Sequence, residues 1–587
     1  MRLIWDVETN GFLDDLTTIH CIAVMDPDKD TEPQIFGPDN VEEGVRLLMT
    51  ADEIIGHNII NFDIPAIHKV FSWFSTDDVR VTDTLVLSRL IRSDLKNDDF
   101  TRNWSHEDFP RKLHGSHSLK AWGMRLGVLK GDFGETTDWS ECTPEMLRYC
   151  QQDVVVTHAL WTDLTSEDWS QEAIDFEHDI ASICNEIGRA GWTFDLEKAH
   201  ALHARLQGEK IAIEQELQDL FPSWTVETEF IPKVNNKTRG YVKGEPFIKT
   251  TEIHFNPNSR KHIEHCLRAK YDWQPKEYTP SGDAKVDESV LVGLPYPEAQ
   301  KLARSFMLQK RLGMLADGNN AWLKLVNDDG KLRHTINPLG TVTGRASSFG
   351  PNLQQVPATR AAFGKECRQL FTVPKDYVLV GADLSGIELR CLAHFLQDGG
   401  KYADIIMQGD VHQANADMAG ISRDEAKTMI YALCYSAGDQ RLGEILGKGA
   451  AEGRQLRDNF FKANPAFKQL LGQLKRVVED RGHLFGLDGR RLHVRGHAQL
   501  NVLLQSAGAL IAKKWVQLFH HEIKKQNLDA QVIAWVHDEI QVATRKGDAD
   551  HVGNLARRMA QEAGRHFNFT IPIDAEYSVG QTWADTH

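Results

Sequence analysis

Over roughly the first 165 residues, short apolar runs alternate with mixed helical stretches. Leu3-Ile4-Trp5, Cys21-Ile22-Ala23-Val24 and Ile54-Ile55 read as strands, and their alternation with helices predicts an α/β domain. From about 170 to 222 the apolar positions follow a helical period, which predicts a long amphipathic helical region ending at Phe221-Pro222-Ser223. Residues 224 to 256 are rich in Thr, Lys, Pro and Gly with short β-branched runs, as expected of an extended or hairpin insertion. Helical character returns from about 297 to 328. An α/β segment follows, then a helical block over about 396 to 480, then a mixed C-terminal segment. Within these, Tyr377-Val-Leu-Val-Gly-Ala-Asp383 predicts a buried strand ending on an acid. Ala530 to Ala543 predicts two strands with His537-Asp538 at the turn between them. The expected fold is therefore multidomain, α/β followed by α+β, with no internal repeat and no low-complexity tract.

Composition narrows the classes. A chain of 587 residues, 41% hydrophobic and 26% charged, has room for several soluble domains. No run of eighteen apolar residues occurs, so no membrane span is expected. Met1-Arg-Leu-Ile-Trp5-Asp6 enters a strand directly and leaves no room for a signal peptide. The eight cysteines lack C-x-x-C spacing, and the expectation is reduced thiols in a cytosolic compartment. The formal net charge of −16 argues against a globally basic nucleic-acid binder. Phosphate contact depends on local patches, however. Lys448, Arg454, Arg457, Lys462, Lys468, Lys475, Arg476, Arg481, Arg490, Arg491 and Arg495 could supply a basic channel or an ordinary solvated helix face.

Two sets of acids carry candidate chemistry. In the N-terminal domain, Asp6-Val-Glu8 closes a strand and Asn58-Ile-Ile-Asn-Phe-Asp63 follows another apolar run. Tyr149-Cys-Gln-Gln-Asp153 lies on a helix that Thr143 caps and Pro144 begins. Tyr149 and Asp153, four apart, share a helix face. Each acid alone has a structural alternative, such as Asp63 capping the helix that starts at Ile64-Pro65. Four carboxylates together call for divalent cations, and two metals about 4 Å apart can activate water and stabilise a leaving phosphodiester oxygen. The quartet with its tyrosine resembles the DEDD family of 3′→5′ exonucleases, in the Tyr-containing subgroup. The resemblance implies that Asp6, Glu8, Asp63 and Asp153 hold two Mg2+ or Mn2+ ions and that Tyr149 orients the attacking water.

The second set is Asp383-Leu-Ser-Gly-Ile-Glu388-Leu-Arg390 and Val536-His537-Asp538-Glu539. If their strands pair, Asp383 and Asp538 meet, again as a two-metal arrangement. Between them in sequence, Arg423, Lys427, Tyr431 and Tyr435 recur every fourth residue and predict one helix ridge about 18 Å long. Its cationic half suits a triphosphate and its aromatic half suits sugar and base.

These stretches resemble family A of the DNA polymerases, with the likeness nearest to the T-seven-type replicative polymerases of short-tailed phages. Further matching stretches are Thr343-Gly-Arg345-Ala, Pro351-Asn-Leu-Gln-Gln-Val-Pro357, Leu389-Arg-Cys-Leu-Ala-His394, Gly489-Arg-Arg and Asn501-Val-Leu-Leu-Gln505-Ser-Ala-Gly-Ala-Leu. The resemblance implies an RNase H-like exonuclease domain at 1–165 and a thumb at 166–335 with a short insertion at 224–256. It implies a palm at 336–395 and 481–587, and fingers at 396–480. Asp383, Asp538 and the Leu384 carbonyl would hold two Mg2+ or Mn2+ ions, with Glu539 joining the catalytic acids. His412, Arg423 and Lys427 would grip the dNTP phosphates, with Tyr431, Tyr435 and Glu388 around the sugar and base. Arg345, Arg368, Asn501, Gln505 and His537 would contact primer-template DNA. The family Glu at position 388, hydrogen-bonded to the tyrosine at 435, fills the space of a ribose 2′-hydroxyl.

Two departures stand out. The family usually has Gly just after the second helix tyrosine, where this chain has Ser436. The segment 224 to 256 is also short where T-seven-type enzymes carry an insertion that captures thioredoxin. It retains Lys233, Lys237, Arg239, Lys243 and Lys249, which could touch duplex phosphates or belong to a solvated hairpin. Partners expected beyond DNA and dNTPs are a processivity factor or a helicase-primase. On the residues alone, a DNA-binding scaffold and a metal-dependent nuclease without synthesis stay open beside a polymerase with an attached proofreading exonuclease.

Overall fold

A computed structural model describes residues 1–29, 31–102, 104–105, 108–131, 134 and 138–587. The N-terminal segment forms a five-stranded sheet from β1 (Arg2–Thr9), β2 (Ile19–Met25), β3 (Gln34–Phe36), β4 (Glu53–Gly56) and β5 (Arg80–Asp83), in the order β3-β2-β1-β4-β5. β1 runs antiparallel to β2 and parallel to β4. Strand period separates its two faces. Leu3, Trp5 and Val7 enter one core cluster with Ile54, Ile59 and Ile67. Ile4 packs on the other side with Cys150 and Val154. Asp6 and Glu8 follow Ile4 at intervals of two, so they emerge on the side that receives helix Pro144–Leu164. Between these lies α1 (Asp63–Val70), and the covering helix is α2 (Pro144–Leu164). Thr143 caps α2 by accepting from the Met146 N–H, with Pro144 in the first turn, as the sequence predicts.

The predicted helical region over 170–222 consists of two helices. The first, α3 (Gln171–Ala190), ends at Gly191, whose φ of 62° an L-residue adopts with difficulty. The second, α4 (Leu196–Leu220), is started afresh by Asp195, which accepts from the Lys198 N–H. The chain divides here into two compact units, one of residues 1–192, 333–356 and 372–587, the other of 193–332 and 357–371. In the second unit Leu217, Phe221, Phe255, Ile263, Leu267, Trp273 and Leu302 form the core. Its stretch 224–256 contains a hairpin of β6 (Trp224–Phe230) and β7 (Phe247–Ile253), paired from Trp224↔Ile253 to Phe230↔Phe247.

The C-terminal part of the first unit is built on β8 (Tyr377–Leu384). The helix α5 (Ile387–Phe395) follows it directly, and α6 (Arg423–Cys434) lies in the predicted helical block. The helix α7 (Gln499–Lys525) precedes β9 (Ala530–Val536) and β10 (Glu539–Arg545). The helix α8 (Ala549–His566) and β11 (Ala575–Gly580) complete a sheet ordered β9-β10-β8-β11. Val378, Val380 and Ala382 of β8 share one core with Leu510 and Trp515 of α7 and Val552 and Leu555 of α8. The Trp515 indole donates to the Ala556 carbonyl at 2.8 Å and joins the two helices. A buried ionic cluster ties α3 to this part: Glu177 lies 2.6 Å from Arg490 and 2.5 Å from Lys513, and Arg490 also pairs with Asp488 at 2.6 Å.

Candidate active sites

At the end of β8 the chain brings three acids together by register alone. Asp383 pairs across the sheet with Glu539 on β10 and with Glu576 on β11. Asp538 occupies the β9–β10 turn beside His537, which has a φ of 60°. The Leu384 N–H donates to the Asp538 carbonyl at 3.0 Å and fixes that turn against the strand end, while the Leu384 side chain is buried. Burial and the nearby Asp538, Glu539, Glu388 and Glu576 push the Asp383 carboxyl up to about 8. Burial likewise raises Asp538, with Glu388 contributing. Crowded carboxylates that resist ionisation are a donor set for hard cations of the Mg2+ or Mn2+ kind.

Glu539 behaves differently from its two neighbours. Its Oε1 accepts from the Trp583 indole and the Gln541 amide, both at 2.6 Å, and its Oε2 lies 2.8 Å from His587 Nδ1. Burial opposes ionisation, but these hydrogen bonds outweigh it and hold the carboxyl below its usual range. Both oxygens of Glu539, expected among the catalytic acids, are thus engaged within the protein.

Around this centre, Arg345, Glu388, His537 and Asp538 line one cavity of about 220 Å³. Arg345 lies 3.7 Å from Glu388. Gln505 and Asn501 sit one turn apart on α7, half-buried, and Gln505 accepts from the Thr343 hydroxyl at 3.3 Å. Two expectations need correction. Arg368 is only 4% exposed and donates from Nε to the Pro357 carbonyl, so its guanidinium belongs to the protein interior and not to a DNA surface. Glu388 pairs with Arg345, and Tyr435 stands 46% exposed, so the expected Glu388–Tyr435 hydrogen bond is absent. Of the basic channel residues, Arg490 is buried in its ionic cluster, while Arg491 and Arg495 pair with Glu167 and Asp94.

The ridge on α6 is present. Ser422 caps the helix in a reciprocal box with Glu425, which places Arg423 at its first turn. Arg423 pairs with Asp410 at 2.6 Å. Burial, Lys427 and Arg423 hold the nearby His412 below its usual value. Tyr431, whose ring centre lies 6.2 Å from that of His412, is half-buried, and burial, Glu388 and other neighbours raise its phenol. The helix stops one residue short of the predicted ridge: Tyr435 is its C-cap, and Ser436 follows with a φ of 60°. Ser436 N–H bonds to the Leu433 carbonyl and Ala437 N–H to the Ala432 carbonyl, a Schellman ending. That left-handed geometry favours glycine, where this chain has Ser436.

The N-terminal acids also converge. Asp6, Glu8 and Cys150 can offer ligand atoms within 4.8 Å of one another, and Glu8, Asp63 and Asp153 are all buried. Burial and Asp153 push Asp6 well above the carboxylate range, burial and Asp83 raise Asp63 to about 7, and burial raises Asp153 to about 6. The Cys150 thiol is pushed up by burial and points at the Asp6 carbonyl, so the donors are carboxylate oxygens. Asp153 Oδ1 is buried without a hydrogen-bond partner among the described residues, an oxygen suited to a cation. Asp63 opens α1 as its first residue rather than capping it.

Sequence reading missed two residues here. Asp83 is fully buried and accepts from the Asn58, Ile60 and Leu85 N–H groups, which shapes the loop leading to Asp63. Its β-run-to-helix position was a legible N-cap signal. Lys130 lies 2.5 Å from Asp153 and 4.9 Å from the Tyr149 ring centre. No spacing in the sequence marked it. Asp6, Glu8, Asp63, Lys130, Tyr149 and Asp153 line a cleft of about 960 Å³ that residues 337 and 339–342 also border.

The family model for DNA polymerase family A matches residues 237–585. The chain is 34% identical to the DNA-directed DNA polymerases of Enterobacteria phage T3 and Escherichia phage T7, with 100% of each chain covered in both cases. It is 26% identical to DNA polymerase I of Aquifex aeolicus, covering 99% of this chain and 95% of that one. Among solved structures, the POL domain of Pol1 from M. smegmatis, in complex with DNA primer-template and dNTP, has the same fold. The TM-score is 0.75 at 19% identity, over 99% of this chain and 96% of that one.

Proposed function

The chain belongs to DNA polymerase family A, and from that premise we propose that it is a DNA-directed DNA polymerase with an attached 3′→5′ exonuclease. The observation that carries the polymerase reading is the strand register that sets Asp383 against the Asp538 turn. In this reading residues 336–395 and 481–587 form the palm, 396–480 the fingers, 166–335 the thumb and 1–165 the exonuclease domain.

In the polymerase site a primer 3′-oxygen bonds to the α-phosphorus of a dNTP, the bond to the β-phosphate oxygen breaks, and pyrophosphate leaves with the 3′-hydroxyl proton lost to water. Two divalent cations would supply charge neutralisation there, and Asp383, Asp538 and the Leu384 carbonyl would hold them. Glu539, fixed by Trp583, Gln541 and His587, keeps the β9–β10 turn in place. Arg423, Lys427 and His412 grip the triphosphate, and Tyr431 and Tyr435 face sugar and base. Glu388, held by Arg345, occupies the ribose 2′ side and selects deoxynucleotides. Arg345, Gln505, Asn501 and His537 position the primer-template. In the exonuclease site Asp6, Glu8, Asp63 and Asp153 would hold cations that activate water, and Tyr149 would orient that water. Mg2+ and Mn2+ fit both donor sets.

The hairpin at 224–256 belongs to the thumb, and its basic residues Lys233, Lys237, Arg239, Lys243 and Lys249 contact duplex phosphates directly, without thioredoxin. Primer extension on a long primed single strand, with and without thioredoxin, tests this together with Asp538→Ala. Long products from the wild type alone, lost in the variant, are expected. Lengthening only with thioredoxin would overturn the reading of the hairpin, and no product under any condition would bring the scaffold reading forward.

A further inference from the structure

Four carboxylates crowd the N-terminal cleft, and one ammonium stands among them. Lys130 Nζ is 2.5 Å from Asp153 Oδ2. It also sits over the Tyr149 ring at 4.9 Å from the centroid. The same ammonium acts electrostatically on Asp6, Glu8 and Asp63. Asp153 is 4% exposed and Lys130 21%, so the pair is withdrawn from water, where an ionic contact is strong. Lys130 therefore engages the acid and the tyrosine that the exonuclease reading needs on α2, through one side chain from outside that helix.

We propose that Lys130 is a positioning residue of this site: a built-in cation that balances the carboxylates before metal binds, orients Asp153 and Tyr149, and competes with divalent cation for Asp153. The proposal rests on the exonuclease reading for its catalytic part. Its electrostatic part stands on the contacts themselves. A lysine that only filled space would leave cation affinity untouched when replaced by an uncharged side chain of similar length. A competing ammonium would not, because its removal exposes Asp153 Oδ2 beside the already unpartnered Oδ1.

The test uses the full chain carrying Asp538→Ala, so that the palm acids contribute little to binding. Mn2+ titration followed by electron paramagnetic resonance compares Lys130, Lys130→Met and Lys130→Arg. We expect Lys130→Met to bind Mn2+ on the order of tenfold more tightly, and Lys130→Arg, which keeps the charge, to bind as the parent does. In parallel, with Asp538 intact, trimming of single-stranded 3′ ends should fall roughly ten- to hundredfold in kcat for Lys130→Met, with KM for DNA little changed and partial rescue in Lys130→Arg. Primer extension by the same variants should match the wild type and so report a folded chain. Mn2+ affinity unchanged in Lys130→Met would overturn the proposal even if trimming fell. A wild type that shows no metal-dependent trimming would instead defeat the exonuclease reading, and the Mn2+ titration would still decide the role of Lys130.

Discussion

The two acid centres gather repelling carboxylates in different ways. In the N-terminal cleft the acids are buried between a sheet face and α2, and a lysine is folded in among them. At the C-terminal centre the acids sit on strand ends and a turn, and among the described residues no lysine or arginine pairs with Asp383 or Asp538. Arg345 there pairs with Glu388, and the cations of α6 are on a separate helical element. The contact shows in the one carboxyl that makes it: Asp153, beside Lys130, is raised only to about 6, whereas Asp6 in the same cleft is pushed well above the carboxylate range and the more exposed Asp383 reaches about 8. Burial alone does not set the cost of an acid cluster. What matters is whether the protein or the substrate complex brings the opposite charge.

The largest expected effect separates the centres outright. Asp383→Asn should reduce primer extension by at least about a thousandfold and leave 3′ trimming intact, and Asp6→Ala should do the reverse. Joint loss in either variant would break the division into two independent sites. A second substitution sharpens the dependence of the C-terminal centre on its sheet. A Cβ on Gly381 would come 2.6 Å from both the Gln541 amide nitrogen and the Thr586 carbonyl. Gly381→Ala should cost about 1–3 kcal/mol in denaturant unfolding and weaken primer extension more than trimming.

The pH dependence probes the missing counter-charge. Asp383, Asp63 and Asp153 have folded values near 8, 7 and 6, above their unfolded value. Between about pH 4 and 8 the native protein thus binds more protons than the unfolded chain, so metal-free stability falls as pH rises through that window. Thermal melts near pH 5 and pH 8 should show Mg2+ raising the midpoint more at the higher pH. An equal gain at both would mean that cations do not act through these carboxyls. The smallest effect lies outside both centres, at the end of α6. Ser436→Gly should add about 0.5–1 kcal/mol of stability by relieving a left-handed residue, measured by urea unfolding.

Much of this was legible along the chain because it depends on local rules. Strand period put Asp6 and Glu8 on one face, Thr143 and Pro144 announced a helix start, and a spacing of four aligned Arg423, Lys427 and Tyr431. Local rules also failed where a single residue interrupted them: Gly191 divides the expected helical region into two helices, and Tyr435 became a cap instead of the last step of a ridge. The burial of Arg368 and the hydrogen bond from Trp583 to Glu539 follow no local period, because packing sets them.

The sequence by itself determined which residue types and spacings could bind cations, phosphates and bases, because those patterns repeat with the periods of helix and strand. Only the tertiary structure decided the counter-charges: Lys130 on Asp153, Arg345 on Glu388, His587 on Glu539. These pairs join residues 23, 43 and 48 positions apart through packing. No local period encodes such a meeting, because an ion pair depends on the distance in space that the fold creates.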